Sequence, residues 1–125
     1  MPKPFSLSGR LQSFRYAGRG LLLTLRTQHN ARIHAAATIV VVGGGLILGL
    51  SRLEWCAVVL ACAAVWSAEA LNTALELLAD ATTQEMHPLI GQAKDVAAGA
   101  VLVTAIGAAV VGLLVFGPHL LVRTR

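Results

Sequence analysis

The chain alternates between long apolar runs and short polar connections, a pattern that predicts helices crossing a membrane. The apolar runs cover 33–50, 55–80 and 95–117, and about 20 residues suffice for a helix to span the hydrocarbon core. Pro118 is expected to end the third run, because proline interrupts the interior of a helix. The sequence therefore predicts an all-α membrane protein with three transmembrane helices. A length of 125 residues is enough for one domain, predicted over 1–125.

A further helix is predicted over 9–27, before the first span, and its pattern is amphipathic. Ser8 is the expected N-cap. Apolar side chains project within an arc of about 100°, and arginines follow one edge of that arc. The apolar residues are Leu11, Phe14, Leu21, Leu22 and Leu25, and the arginines are Arg15, Arg19 and Arg26. This arrangement favours a surface helix in the headgroup layer, and an ordinary solvated helix is the alternative.

Composition and charge support a membrane location. Hydrophobic residues make up 56% of the chain and charged residues 13%, whereas soluble domains carry about 25% charged residues. The first 32 residues hold cations but no acid, namely Lys3, Arg10, Arg15, Arg19, Arg26 and Arg32. No aromatic-basic platform of a nucleic-acid site accompanies the charge, so no nucleic acid is expected as a partner. The positive-inside rule predicts a cytoplasmic amino terminus, although Arg123 and Arg125 would then lie outside.

Short connections and glycines shape the predicted bundle. Residues 51–54 form a very short link between the first two spans, and 82–91 form a polar loop. Pro88 rules out a continuous helix through that loop. Gly45 and Gly49 form a G-x-x-x-G pattern, which predicts the close approach of another helix.

One face of the second predicted span carries the candidate chemistry. At about 100° per residue, one stripe over about three turns contains Glu69, Asn72, Glu76 and Asp80. Ionisable residues inside a membrane are costly, which favours a functional site over a polar contact between helices. Asp80 can equally be a solvated helix end.

Lys94 and Asp95 open the third predicted span at the same membrane level. At a helix start Asp95 would also suit the helix dipole. A cation beside clustered acids can hold phosphate while carboxylates hold Mg²⁺ and accept a proton from an attacking hydroxyl. This combination favours phosphoryl transfer. Membrane carboxylates also relay protons, so a channel or transporter with Glu69 as carrier is the alternative.

The residues that carry this chemistry resemble a known family. Glu-Ala-Leu-Asn-Thr-Ala-Leu-Glu at 69–76, His87-Pro88 and Ala-Lys-Asp at 93–95 resemble the prokaryotic diacylglycerol kinase / undecaprenol kinase family. The resemblance covers about residues 10 to 117. It implies a homotrimer in the bacterial cytoplasmic membrane, with three spans and a surface helix per subunit. It also implies sites at the cytoplasmic surface between subunits, where the γ-phosphate of ATP passes to a lipid primary hydroxyl.

The resemblance implies a role for each matching residue. Glu69 resembles the general base, and Asn72 helps to position the lipid hydroxyl. Lipid contacts are implied for Glu69 and Arg32. The implied nucleotide-binding residues are Tyr16, Glu76, Glu85, His87, Lys94 and Asp95. Mg²⁺ is the implied cofactor, held by Glu76 and by the residue at position 28.

Two positions depart from the family pattern. Gln28 stands where many members carry a second metal-binding glutamate, and Gly9 stands where an arginine is usual. An amide oxygen can bind Mg²⁺ but brings no charge, so a catalytically weakened member is a further hypothesis. The segments 87–89 and 94–103 favour undecaprenol over diacylglycerol as the substrate.

Overall fold

Four α-helices form the part of the chain that the structure describes. The computed structural model describes residues 1–82 and 87–123, and those residues contain no strand. The helices are α1 (Leu7–Thr27), α2 (His29–Leu48), α3 (Arg52–Thr82) and α4 (Pro88–Arg123). By length and composition α2, α3 and α4 can each cross a membrane. The predicted all-α membrane architecture, with three spans after an amino-terminal helix, is confirmed.

Helix α1 begins two residues earlier than predicted, with a different cap. The hydroxyl of Ser6 accepts a hydrogen bond from the Gly9 N–H at 3.1 Å, so the N-cap is Ser6 and the prediction of Ser8 is wrong. Leu11 and Phe14 are exposed on this helix. An exposed apolar face is what a helix lying in the headgroup layer requires.

Gln28 separates α1 from α2 with a single extended residue. Helix α2 therefore begins at His29, earlier than the predicted start at residue 33. The guanidinium of Arg32 donates hydrogen bonds to the carbonyl oxygens of Leu25 and Arg26. The last carbonyls of a helix have no partner within the helix, so Arg32 closes the end of α1.

The connection from α2 to α3 is tight because a glycine and a capping box shape it. Gly49 ends α2 with a φ of 70°, a left-handed conformation that glycine adopts without strain. The backbone N–H of Ser51 donates to Glu54 Oε1 at 3.1 Å, and the Glu54 N–H donates to Ser51 Oγ at 3.2 Å. This reciprocal capping starts α3 at Arg52, within the predicted link and three residues before the predicted start.

The G-x-x-x-G prediction holds for only one of its glycines. A Cβ added at Gly45 would lie 2.7 Å from the Trp55 ring, so the absent side chain lets α3 approach α2 there. Nothing lies within 4 Å of the same position at Gly49, whose role is the helix cap.

Helix α4 is much longer than the predicted span of 95–117. It begins at Pro88, where the missing N–H costs nothing in the first turn. It continues through Pro118 to Arg123, so the prediction that Pro118 ends the helix is wrong. Membrane helices tolerate internal proline when neighbouring groups satisfy the freed backbone. Asp95 lies two turns inside α4, so its explanation by the helix dipole also fails.

The bundle has a small core and long helices. A buried cluster is formed by Leu50 of the α2–α3 connection, Val58 of α3 and Val115 of α4. Near it, His119 Nε2 lies 2.7 Å from Glu54 Oε2 and joins the end of α4 to the start of α3. At about 1.5 Å per residue, the 31 residues of α3 extend about 46 Å, beyond a hydrocarbon core of about 30 Å. One end of α3 can therefore project into the headgroup layer.

Candidate active site

The acidic stripe of α3 runs from the bundle interior to its surface. Glu69 is 1% exposed, Asn72 and Glu76 are half-buried, and Asp80 is exposed. Glu69 and Asp80 are eleven residues apart, a rise of about 16 Å along the helix. One face of α3 thus offers a buried carboxylate at depth and hydrated carboxylates towards the helix end.

Glu69 faces a histidine that the sequence interpretation did not select. His34 Nε2, from α2, lies 3.2 Å from Glu69 Oε1. The two atoms do not meet in hydrogen-bond geometry, and Oε1 has no hydrogen-bond partner among the described residues. A buried carboxylate oxygen without a donor is costly to maintain and is able to receive one. The hydroxyl of a substrate is a donor of the required kind.

Asn72 and Glu76 form the middle of the site. The Asn72 amide Nδ2 donates a hydrogen bond to Glu76 Oε1 at 3.4 Å. The two residues are one turn apart on the same face of α3, a spacing that lets side chains meet. The amide therefore orients the carboxylate and leaves the other oxygen of Glu76 available.

The donor set around Glu76 fits Mg²⁺ that is delivered together with a nucleotide. The described residues contain no group of three or more His, Cys, Asp or Glu side chains suited to a metal. Mg²⁺ commonly binds through one or two carboxylates plus substrate phosphates and water. The carboxylate of Glu76 can supply one such ligand, whereas the described residues form no cage built from protein alone.

Lys94 lies beside the outer end of the stripe. Its Nζ is 3.4 Å from Asp80 Oδ1, and this pair joins α3 to α4. The lysine side chain is 43% exposed and the aspartate 73%, so water screens the pair and its stabilisation is small. Lys94 can therefore leave Asp80 for a phosphate at little cost.

The remaining predicted residues lie apart from this centre. Tyr16 is exposed on α1 under the Arg19 guanidinium, 5.9 Å from the ring centroid. His87 Nδ1 accepts the Leu89 N–H at 3.2 Å at the start of α4, and Asp95 is exposed on that helix. Glu85 lies outside the described residues.

Residues of α1 and of the α1–α2 junction are likewise not joined to the stripe. In the described part of the chain, the carboxylates of α3 receive no hydrogen bond or ion pair from Tyr16, Gln28 or Arg32. The single chain therefore assembles three local pairs, Glu69 with His34, Asn72 with Glu76, and Asp80 with Lys94, but not the whole predicted set.

Comparison with known proteins identifies the group to which this chain belongs. The family model described as prokaryotic diacylglycerol kinase matches residues 15–116. An undecaprenol kinase from Bacillus subtilis is 45% identical over 109 residues, which cover 87% of this chain and 89% of that protein. A diacylglycerol kinase from Synechocystis is 42% identical over 112 residues, which cover 89% of this chain and 64% of that protein. This chain belongs to the prokaryotic diacylglycerol kinase family and is a lipid kinase.

Proposed function

We propose that this lipid kinase transfers the γ-phosphate of ATP to the primary hydroxyl of undecaprenol, with Mg²⁺ as the cofactor. The observation that carries the proposal is the buried Glu69 carboxylate, whose Oε1 lacks a hydrogen-bond donor among the described residues. It lies on one helix face with the oriented Glu76, and Lys94 lies at the outer end of that face. A buried base suits an acceptor that comes from the lipid. Nucleotide-binding groups near the water suit a soluble phosphate donor.

In the proposed reaction, Glu69 accepts the proton of the lipid hydroxyl as the hydroxyl oxygen attacks the γ-phosphorus. The bond between that phosphorus and the β–γ bridging oxygen breaks, and ADP leaves. Asn72 positions the reacting groups. Glu76 and Gln28 would hold Mg²⁺, which when bound supplies positive charge to the nucleotide phosphates.

We also propose that the site is completed between subunits of a homotrimer. Within one subunit Lys94 contacts Asp80, about 16 Å along α3 from Glu69. Among the described residues no contact joins Lys94 to Glu69 within one chain, which supports a site that Lys94 of the partner subunit completes. Many large apolar side chains of α2, α3 and α4 are exposed in the single chain, and neighbouring helices or lipid would cover them. The resemblance and the basic amino terminus support an active site at the cytoplasmic face of the inner membrane.

The preference for undecaprenol rests on resemblance. The undecaprenol kinase of Bacillus subtilis matches over nearly its whole length, whereas the Synechocystis diacylglycerol kinase matches over 64% of its length. The alternative in which Glu69 carries ions across the membrane leaves Lys94 without a role and is less well supported.

The test is transfer of labelled γ-phosphate from ATP by the purified protein in mixed micelles, with undecaprenol and diacylglycerol assayed side by side. We expect faster formation of undecaprenyl phosphate. Glu69→Gln should lower the rate at least about a hundredfold, because general bases contribute about 10²–10⁴-fold.

Glu54→Gln is the matched control, since it makes the same substitution at the start of α3, fifteen residues from Glu69, and should retain transfer. Wild-type transfer by well-folded Glu69→Gln would disprove the assignment of the base. Faster phosphorylation of diacylglycerol would disprove the substrate preference alone.

A further inference from the structure

His34 is the polar neighbour of the buried carboxylate, and nothing in the proposed reaction so far uses it. Its Nε2 lies 3.2 Å from Glu69 Oε1 across the contact between α2 and α3. The Glu69 side chain is 2% exposed and the His34 side chain 21% exposed. The imidazole is therefore placed between a carboxylate that water does not reach and surroundings that are partly open.

A second contact between the same helices holds this geometry. The Thr38 hydroxyl donates to the His34 carbonyl oxygen at 2.7 Å and accepts the indole N–H of Trp66 at 3.1 Å. Thr38 follows His34 by four residues, and Trp66 precedes Glu69 by three. Two contacts one turn apart fix the register of α2 against α3, and that register brings His34 to Glu69.

His34 also borders open space on its other side. It lines a cleft of about 370 Å³ whose wall includes Asn30 on α2 and Ala98 on α4. It also lines an apolar cavity of about 300 Å³ between α2, α3 and α4. The imidazole can therefore release a proton towards the cleft. Glu69 cannot do so directly, because its side chain is almost completely buried.

We propose that His34 is a proton-relay residue for Glu69, an inference that rests on the proposed role of Glu69 as the base. After Glu69 takes the proton of the lipid hydroxyl, the protonated carboxyl passes it to His34 Nε2. The imidazolium then releases the proton on Nδ1 to water in the cleft. The carboxylate is restored, and the neutral imidazole, now protonated on Nε2, returns to the Nδ1–H tautomer by proton exchange with water before the next turnover; no electrons are transferred.

Few other charged groups face His34 from the elements around it. From α3 the facing ionisable group is Glu69. The cleft residues contributed by α4 are apolar, namely Ala98, Val101, Leu102 and Ala105. Arg32, on the same helix, donates to carbonyl oxygens of α1. Among the described residues, Glu69 is thus the ionisable side chain that His34 contacts.

The test compares His34→Gln and His34→Ala with the wild type in the same phosphoryl-transfer assay. We expect His34→Gln to lower kcat about a hundredfold, the lower end of the acid–base range, with an unchanged KM for ATP. Its pH profile should differ from that of the wild type, because the imidazole no longer takes part in proton transfer. Added imidazole should restore part of the activity of His34→Ala, since the adjoining cavities can admit it.

Two controls separate a relay from a structural role. Thr38→Val disturbs the same helix contact but keeps the imidazole, so its pH profile should match the wild type. His119→Gln removes a histidine from another histidine–glutamate contact, at the far end of the bundle, and should keep its kcat. If the His34 variants do not fold, the wild-type rate in mixtures of H₂O and D₂O provides the test: movement of several protons through the relay predicts a curved dependence on the deuterium fraction, whereas transfer to Glu69 alone predicts a linear one.

The outcomes distinguish this inference from the proposed function. A wild-type kcat and pH profile in His34→Gln would overturn the relay and leave Glu69 as the base. Loss of activity without rescue by imidazole and without a change in pH profile would also overturn it. If Glu69→Gln retains full activity, the base itself fails, and the relay fails with it. A linear dependence of the wild-type rate on the deuterium fraction would count against the relay.

Discussion

The side chains of the acidic stripe differ in what surrounds them, and their surroundings separate their roles. Glu69 is buried beside His34, Glu76 is oriented by Asn72, and Asp80 is exposed beside Lys94. Burial of a carboxylate without a donor opposes folding, whereas a screened surface pair contributes about 0–1 kcal/mol. Glu69, whose burial opposes folding, is therefore the residue whose presence a catalytic function explains.

Gln28 leads to a prediction about the metal. Gln28→Glu should lower the Mg²⁺ concentration needed for half-maximal transfer, because a second carboxylate adds negative charge where the resemblance places the ion. The measurement is a titration of the transfer rate with Mg²⁺ at saturating ATP.

Gln12→Glu is the matched control for Gln28→Glu, since Gln12 is exposed on α1 and away from the α1–α2 junction. It should leave the titration unchanged. An identical Mg²⁺ dependence in Gln28→Glu and the wild type would remove position 28 from the metal site. If the wild type transfers phosphate as fast as Gln28→Glu, the hypothesis of a catalytically weakened family member is wrong.

At the scale of the helices, the ends decide where functional groups lie. The capping box of Ser51 and Glu54 sets the start of α3, and the contact of Glu54 with His119 ties that start to α4. Helix α4 carries Lys94 well inside its first half because it begins at Pro88. Asp80 and Lys94 can meet because α3 is long enough to reach the level of Lys94.

The capping box leads to a stability prediction. Ser51→Ala should lower the free energy of unfolding by about 1 kcal/mol, because the Glu54 N–H loses its acceptor at the helix start. Thermal or denaturant unfolding in detergent, followed by circular dichroism, is the measurement. Ser67→Ala, an exposed position within α3, is the control and should change stability little. Equal stability of Ser51→Ala and Ser67→Ala would show that the cap contributes nothing.

At the scale of the whole molecule, one chain leaves its apolar helices largely uncovered and its predicted nucleotide residues dispersed. Tyr16 on α1 and Asp95 on α4 are both exposed. Lys94 contacts Asp80 rather than the region of Glu69. A trimer would bury part of the apolar surface and bring residues of different subunits to one site.

Mixing of subunits tests whether the site is shared. Glu69→Gln and Lys94→Met should each be inactive alone, whereas trimers reassembled from the two should regain measurable transfer. Recovery is expected because Glu69 of one subunit and Lys94 of another can then form an intact site. Transfer of labelled phosphate after joint reconstitution is the measurement.

The control for this mixing experiment pairs Glu69→Gln with Asn72→Ala. These residues lie one turn apart on α3, so each subunit keeps a defect in the same part of the site. No recovery is expected. If the Glu69→Gln and Lys94→Met mixture also stays inactive, Lys94 acts within its own subunit.

The sequence by itself determined the class of fold and the main candidate residues. Apolar length and helical periodicity are local properties, so they identified three spans, the amphipathic α1 and the face shared by Glu69, Asn72 and Glu76. Ser51-x-x-Glu54 is also a local signal, the capping-box pattern, and it could have placed the start of α3. The Ser8 cap and the end at Pro118 were wrong because capping geometry and tolerance of proline depend on surrounding backbone contacts.

Only the tertiary structure decided which side chains meet. The contacts of His34 with Glu69, Lys94 with Asp80 and His119 with Glu54 join residues of different helices. Periodicity along one helix states which residues share a face, but not how far a neighbouring helix is rotated or shifted against it. Packing sets that rotation and register, here through Thr38 with Trp66 and through Gly45 against Trp55. Side-chain contacts between helices therefore follow from the packed bundle and not from the pattern of any single segment.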